Sequence, residues 1–346
     1  MRTLIRATTT LAALTAAVLS AAPAAAQSDI LLRLRSGSPL GDRFRVDSAS
    51  GFVAKGILGV GIIPFTGAGE RVMWYPYKAS FRAGGVDGTQ WDDSNNGFYS
   101  FATGNNTKAS GYYSIATGGG SMAQGNYSVA MGQLTNADGS GAVALGTRST
   151  ADADYSVAIG QRASTNGHAG AIVFADASTT DSLEASANNQ FSARAAGGYR
   201  LYTNATETTG MTMNAGGSSW NVVSDRNRKQ DFMAVDGESL LMRLRSVPVT
   251  TWRYRDEADR TVLHMGPMAQ DWHAAFGFNS DDKTINMSDL DGVNLAAVKA
   301  LEARTAELQA KSARVERLEA QLSETQRRLA ELEAVVLRIQ QQSQRP

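Results

Sequence analysis

A repeat with a constant period of fourteen residues runs through residues 97–174 and restricts the fold more than any other feature of the sequence. Its unit has the form G-x-x-S-x-A-x-G. The five clear copies end at Gly104, Gly118, Gly132, Gly146 and Gly160, and a degenerate copy follows at 167–174. A constant period of this kind indicates a solenoid in which each copy is one rung.

Each copy contains a short segment in which bulky and small side chains alternate, as in Tyr127–Met131. This period of two predicts a strand with two different faces, and the closing glycine predicts a tight turn or a close approach of two backbones. Because alanine and serine bury little apolar surface, we expect the rungs to stack and also to pack against other chains. The pattern leaves open which face points inward.

The repeat resembles the head repeats of trimeric autotransporter adhesins (YadA-like), and Gly111, Ser114, Ala116 and Gly118 match their unit. The resemblance implies a left-handed parallel β-roll shared by three chains on a bacterial surface. Since the chain closes on a charged helix, we expect the family's usual outer-membrane anchor to be missing. Whether the repeat binds a ligand or is only a spacer stays open. Its recurring tyrosines could form a row that contacts a sugar or a protein, or their rings could pack against each other.

The first residues predict export. Arg2 and Arg6 precede an apolar run from Leu11 to Leu19, and Ala24–Ala26 provides small residues for cleavage, so residues 1–26 have the pattern of a secretory signal peptide. The apolar run is too short to cross a bilayer, which takes about 20 residues. We therefore expect a secreted protein without a transmembrane segment.

The composition limits the classes of partner and cofactor that we expect. Since 33 basic residues balance 33 acidic ones, we expect neither nucleic acid nor an anionic membrane as a partner. The absence of cysteine excludes disulfides and thiolate metal sites, so assembly or a sizeable core must supply the stability. The three histidines lack metal-ligand spacing, and we expect neither a metal nor a cofactor.

A serine and a lysine lie five residues apart after a polar linker that we predict over residues 206–219. They are Ser224 and Lys229, with Arg226 and Arg228 between them. A lysine acts as a base only when its pKa falls well below about 10.4, which desolvation or neighbouring cations cause. The same spacing is common in solvated loops. The Ser/Lys spacing alone therefore does not distinguish a catalytic dyad from a loop, and the surrounding sequence is needed.

Residues 221–310 resemble the intramolecular chaperone domain of endosialidase-type phage tailspikes and tail fibres. The resemblance is carried by Ser224-Asp225, Lys229, Trp252, His264-x-Gly266-Pro267 and Gln270-Asp271, in that order. It implies that three chaperone domains fold the fibre as a trimer, and that a Ser/Lys dyad then cuts the chain just before the serine.

Carried over to this chain, the resemblance implies that Ser224 is the nucleophile, that Lys229 is its base, and that the Val223–Ser224 bond is cut. Many phage members have an arginine three residues after the serine, where this chain has Asn227. The supporting candidates, which would orient the dyad or stabilise the oxyanion, are Asp225, Asn227 and His264. For Asp225 and Asn227, the alternative is a role as ordinary residues of a loop or turn.

Apolar residues recur every seven positions near the C-terminus and predict a coiled coil. They are Leu301, Leu308, Val315, Leu322, Leu329 and Val336, and Leu318, Leu332 and Ile339 occupy intervening positions. Arg304, Lys311 and Thr325 interrupt the second seam. The spacing permits two or three chains, and the resemblance implies three.

The sequence thus predicts an elongated homotrimer with a mainly β N-terminal region of left-handed parallel β-roll repeats, a small α+β chaperone domain and a C-terminal trimeric coiled coil. The predicted domains are a signal peptide (1–26), an N-terminal β head or attachment region (27–96), YadA-like head repeats (97–174), a β connector and linker (175–220), a self-cleaving chaperone domain (221–300) and the coiled coil (301–346).

The function that we predict is that of a secreted, fibre-like surface or adhesion protein, on a bacterial cell or a phage-derived fibre. Its partners would be its own copies and a cell-surface glycan or protein receptor. Its only enzymatic activity would be self-cleavage as a serine peptidase. The alternative is a permanently intact adhesin with a non-cleaving chaperone. A polysaccharide-degrading tailspike is disfavoured, because repeats and connectors fill residues 29–220 and leave no catalytic domain with paired carboxylates.

Overall fold

A computed structural model describes residues 30–36, 41–48 and 51–343. The predicted signal peptide at 1–26 lies outside the described residues. The chain divides into two compact units, Met1–Ser224 and Asp225–Pro346, and each unit is described by itself.

The first unit begins with a small antiparallel sheet of three strands in chain order, β1 (Ile30–Ser36), β2 (Gly41–Asp47) and β3 (Gly51–Ala54). The solenoid follows. Its strands are β4 (Gly69–Tyr75), β5 (Ser80–Val86), β6 (Phe101–Asn105), β7 (Lys108–Ala109), β8 (Ile115–Gly119), β9 (Met122–Ala123), β10 (Val129–Gln133), β11 (Asn136–Ala137), β12 (Val143–Thr147), β13 (Thr150–Ala151), β14 (Val157–Gln161), β15 (Ala163–Ser164), β16 (Ile172–Ala175), β17 (Leu183–Glu184) and β18 (Phe191–Arg194).

Each repeat copy contributes one strand to each of two sheets. The longer strands form a sheet in the order β4-β5-β6-β8-β10-β12-β14-β16-β18, and the two-residue strands form a second sheet in the order β7-β9-β11-β13-β15-β17. From β5 onward the pairing in the first sheet is parallel, and equivalent residues of successive copies lie side by side. The predicted fold class is confirmed for the solenoid.

The small side chains of each rung point inward. The alanines equivalent to Ala116 are completely buried throughout the repeat, and so is Ser114, whose hydroxyl donates a hydrogen bond of 2.7 Å to the carbonyl of Gly111. The flanking Ile115 is 37 % exposed. The interior is therefore a narrow column of alanine and serine, which settles the orientation that the sequence left open.

The outward face of the longer sheet is apolar along its whole width. One row on this face, formed from β6 onward by the first residue of each strand, consists of paired residues from nine adjacent strands, namely Trp74, Phe81, Phe101, Ile115, Val129, Val143, Val157, Ile172 and Phe191. We call these residues the apolar row. At its ends Trp74 is 37 % and Phe191 is 65 % exposed. Contiguous apolar surface of this extent is typical of an interface between chains.

A buried arginine closes the alanine column at its N-terminal end. Arg82 pairs with Ala102 and so occupies the column position, where it is completely buried. Its guanidinium donates hydrogen bonds to the carbonyls of Ser100 and Ala109 and to the side chain of Asn96, at 3.1, 3.0 and 2.6 Å. Burial lowers the pKa of Arg82 to about 9, so the group is still a cation at neutral pH, stabilised by these oxygen acceptors.

The last part of the first unit is an antiparallel sheet of β19 (Gly198–Tyr202), β20 (Gly210–Asn214) and β21 (Asn221–Val222). The prediction of a linker over 206–219 is wrong for β20, whose Met211 and Met213 pair with Leu201 and Tyr199. Methionine and threonine alternate in this strand, and the glycines and polar residues around it obscured the pattern.

The second unit is a small α+β region that continues into a long helix. Its elements are α1 (Gly237–Ser246), β22 (Thr250–Trp252), β23 (His264–Gly266), α2 (Ala269–Phe276) and α3 (Met287–Ser343). The carboxylate of Asp236 accepts a hydrogen bond from the amide of Glu238 and caps α1, and Gly277 ends α2 with a positive φ of 69°. The core side chains are Leu240, Val247, Trp272, Phe276, Val293 and Ala297.

The long helix α3 has two parts with different environments. Val293 and Ala297, near its start, are buried in the core of the α+β region. From Leu301 onward the heptad residues are exposed, with Leu308 at 65 % and Leu322 at 58 %. The helix has 57 residues, a length of about 86 Å. Within the described ranges, no helix has both the length and the apolar composition required to cross a bilayer.

Two adjacent glycines provide a test of the register of the solenoid. A Cβ on Gly118, whose φ is +104°, would lie 2.0 Å from the carbonyl oxygen of Gly132 in the next rung, whereas a Cβ on Gly119 would have no described atom within 4 Å. We expect Gly118→Ala to destabilise the fold by about 3 kcal/mol or more and Gly119→Ala to change it by less than about 0.5 kcal/mol. Thermal unfolding followed by circular dichroism measures both; equal effects would contradict the register.

Candidate functional site

The predicted cleavage bond lies at the end of the first unit. Strand β21 ends at Val222, and the amide of Val223 still donates a hydrogen bond of 3.1 Å to the carbonyl of Gly210. Ser224 is the last residue of this unit, and the boundary falls between Ser224 and Asp225. The bond between Val223 and Ser224 therefore lies one residue before the boundary, directly after the last ladder contact.

The next residues form one short turn at the start of the second unit. The carboxylate of Asp225 accepts hydrogen bonds from the backbone amide and the side-chain amide of Asn227, at 2.9 and 3.1 Å. This contact caps a single 3₁₀ turn, Arg226–Arg228. Lys229 follows in an extended conformation, and its amide donates to the carbonyl of Arg226 at 3.2 Å. The geometry fits the alternative role of Asp225 and Asn227 as turn residues.

The side chains of the predicted dyad are exposed. Ser224 and Lys229 are both on the surface, as are the residues between them. The cation of Arg226 lies over the ring of Phe232, 5.4 Å from its centroid. The dyad itself, with serine as nucleophile and lysine as base, stays a prediction.

The third supporting candidate, His264, belongs to a separate cluster in the second unit. It pairs with Trp252 across the β22–β23 hairpin, and the two rings stack with centroids 4.7 Å apart. Tyr254 packs its ring edge against the imidazole at 5.3 Å. Nε2 of His264 lies 2.9 Å from Oε2 of Glu257, a contact that fixes the orientation of the ring.

Sequence reasoning missed Tyr254 and Glu257 as members of this cluster. Tyr254 follows Trp252 by two residues, so the alternation of a strand was the only signal for it. Glu257 lies in a loop after β22, and no periodic pattern connects it with His264. In the part of the chain that the structure describes, no group of three or more histidine or carboxylate side chains is placed to hold a metal ion.

Comparison with known protein families gives two matches. The YadA head domain repeat matches residues 96–121, 109–135, 123–149 and 137–163. The peptidase S74 family, described as the chaperone of endosialidase, matches residues 224–279. No curated protein and no solved structure matches the chain significantly.

The two matched segments agree with the structure. The first falls on the in-register part of the solenoid, and the second begins at Ser224, next to the boundary between the compact units. The resemblances predicted from the sequence are thereby confirmed, in the predicted order. The chain carries YadA head repeats followed by a chaperone domain of the endosialidase type, the arrangement of a trimeric adhesin or tail-fibre-like protein.

Proposed function

We propose that the protein is a secreted, trimeric surface fibre whose C-terminal chaperone domain aligns three chains and then cleaves itself off before Ser224. The observation that carries the proposal is that the chaperone match begins at Ser224, after the last strand of the β unit. A cut at this position lies one residue before the boundary between the two compact units and would therefore separate them.

The apolar row supports assembly into a trimer. It presents large side chains from adjacent strands of the longer sheet, whereas the interior of each rung holds alanine and serine. Burial of apolar surface stabilises a protein by about 25 cal/mol per Å². The rungs therefore have more to gain from covering the row than from their own interior, and the matched repeat family supports three copies as the way to cover it.

The heptad seam of α3 supplies the means of alignment. Its apolar residues are exposed from Leu301 to Ile339 and so are available to equivalent helices. Once three helices associate, the attached solenoid segments are held at a high effective concentration. Parallel pairing of rungs nucleates slowly, because the entropy of loop closure is lost before any favourable contact forms. Tethering by the helices lowers this entropic barrier to nucleation.

The cut would follow serine peptidase chemistry within one chain. Oγ of Ser224 attacks the carbonyl carbon of Val223 and loses its proton to Lys229, and the C–N bond of the peptide breaks as an ester forms. The freed amine of Ser224 takes up a proton. Water then hydrolyses the ester, which leaves a carboxylate on Val223 and a fragment that begins with Ser224.

Exposure of the dyad fits a cut that follows assembly. A lysine becomes an effective base when it is desolvated, and Lys229 is exposed in the single chain. We infer that neighbouring protomers supply the desolvation, so that cleavage reports correct assembly. The released fibre then lacks its chaperone, and its persistence depends on the rate of unfolding rather than on refolding.

Removal of the chaperone region tests its role in folding. We expect a chain that ends at Val223, and so keeps β21, to give several-fold less soluble trimer than the full chain, because its solenoid segments are no longer aligned by α3. Soluble yield and size-exclusion chromatography with light scattering measure the effect. Equal yield of trimer from the shortened chain would show that residues 224–346 are not its chaperone.

Substitution of the dyad tests the cleavage chemistry. We expect Ser224→Ala and Lys229→Ala each to slow release of the C-terminal fragment by a factor on the order of 10³ or more, because proton acceptor and nucleophile act as one unit. Both variants should still trimerise, since assembly precedes the cut. Gel analysis and N-terminal sequencing of the fragment provide the readout.

An exposed serine and an exposed lysine outside the dyad serve as matched controls, and Ser219→Ala and Lys283→Ala should both cleave at the normal rate. Release of a fragment that begins with Ser224 from Lys229→Ala would exclude the lysine as base. Unchanged release from Ser224→Ala would point to an external protease. An uncut wild-type chain would favour the permanently intact adhesin.

A further inference from the structure

Four tyrosines of the solenoid occupy a backbone conformation that disfavours them. They are Tyr99, Tyr113, Tyr127 and Tyr155, with φ values of 58°, 57°, 60° and 56°. We call them the tyrosine ridge. Each is the third residue of the turn that precedes a long strand, a position where glycine and asparagine are preferred and a bulky side chain is strained. At the one remaining clear copy the position is Gly141, with φ of 67°.

The hydrogen bonds of the turn do not require tyrosine at these positions. The amide of Tyr127 donates a hydrogen bond of 2.7 Å to the carbonyl of Tyr112, a contact that any residue with this φ would make, and Gly141 makes the equivalent bond to Asn126. The rings lie outside the alanine column, with exposures from 42 % for Tyr99 to 74 % for Tyr155. A strained and exposed residue that recurs in this way points to a function.

The ridge presents its rings in a regular line. The rings of Tyr99 and Tyr113 stack with centroids 4.8 Å apart and planes 9° apart, and those of Tyr113 and Tyr127 are 5.2 Å and 3° apart. The solenoid backbone fixes this spacing, because successive rungs pair in register. The outcome is a row of aromatic edges and hydroxyl groups parallel to the stacking direction of the rungs, continuous from Tyr99 to Tyr127 and interrupted at Gly141 before Tyr155.

We infer that the tyrosine ridge is a binding site for a neutral polysaccharide. A tyrosine ring combines an apolar body with a hydroxyl that donates and accepts hydrogen bonds, and a sugar presents the same two kinds of surface. A linear polymer of repeating units fits a line of repeating rings. A stable protein interface buries about 800 Å² on each partner and so needs surface beyond a single line of rings.

The charges near the ridge favour an uncharged chain. The residues that directly precede the ridge tyrosines are Phe98, Tyr112, Asn126 and Asp154, and none of these four is basic. The one carboxylate among them already accepts a hydrogen bond of 2.8 Å from the amide of Ser140. The ammonium of Lys78 lies 5.8 Å from the centroid of the Phe98 ring but is paired with the carboxylate of Asp93 at 3.1 Å. A sulfated or carboxylated glycan would therefore find no unpaired cation among these residues, and we commit to the neutral class.

The inference rests on the proposed role as a surface fibre, and its test separates the two. The Tyr113→Asn and Tyr127→Asn variants of the full-length trimer are compared with the wild type for binding to immobilised cellulose, chitin, mannan and dextran, with heparin as the charged comparison. Asparagine relieves the strain of the positive φ and loses the ring stacking, and because these two effects oppose each other the midpoint of thermal unfolding should change little. Binding to at least one neutral polysaccharide should fall about tenfold.

Leu134→Asn is the matched control, because Leu134 is also exposed with a φ of 54° but lies on the other turn of the rung. It should keep full binding. Absence of wild-type binding to all four neutral polymers, binding to heparin alone, or binding unaffected by both tyrosine variants would overturn the inference. So would a lower unfolding midpoint in the tyrosine variants, since that would mean the rings stabilise the fold. Trimer formation and fragment release, measured on the same samples, report separately on the proposed function.

Discussion

The structure depends on the narrow space inside each rung of the solenoid. Glycines such as Gly118 bring the backbones of adjacent rungs so close that a Cβ would clash with the neighbouring carbonyl, and the interior between the two sheets accommodates alanine and serine. Such an interior gives a rigid register but little apolar burial per residue. Stability must then come from the outside of the sheet, where the large side chains of the apolar row are placed.

This constraint connects the two units of the chain. If the solenoid gains its stability by covering the apolar row, as we propose, a single chain does not complete its fold, and the step that brings copies together limits the whole process. The chaperone domain and the long heptad helix, which follow in the sequence, fit that task. A chaperone needed only for assembly is dispensable afterwards, which gives a physical reason for a cleavage bond at the boundary between the units.

Much of this architecture could be predicted because a weak sequence pattern becomes recognisable when it recurs in several copies. The period of fourteen, the recurrent glycines and the heptads of α3 each rest on several copies, and the structure confirms the solenoid and the helix. Features that occur once were missed: Arg82 closes the alanine column through hydrogen bonds to residues distant in sequence, and Glu257 contacts His264 across a loop. The positive φ of the tyrosines was also missed, since tyrosine is not a residue that signals such a turn.

The central claim is that the solenoid is stable only when copies of the chain cover the apolar row. The most direct test is native mass spectrometry of the Ser224→Ala chain and of the same chain with Val143→Asp added. We expect three copies for Ser224→Ala, and loss of both the trimer and the β-sheet signal in circular dichroism when Val143→Asp is added, because Val143 lies next to the middle of the row. A folded monomer from either chain would contradict it.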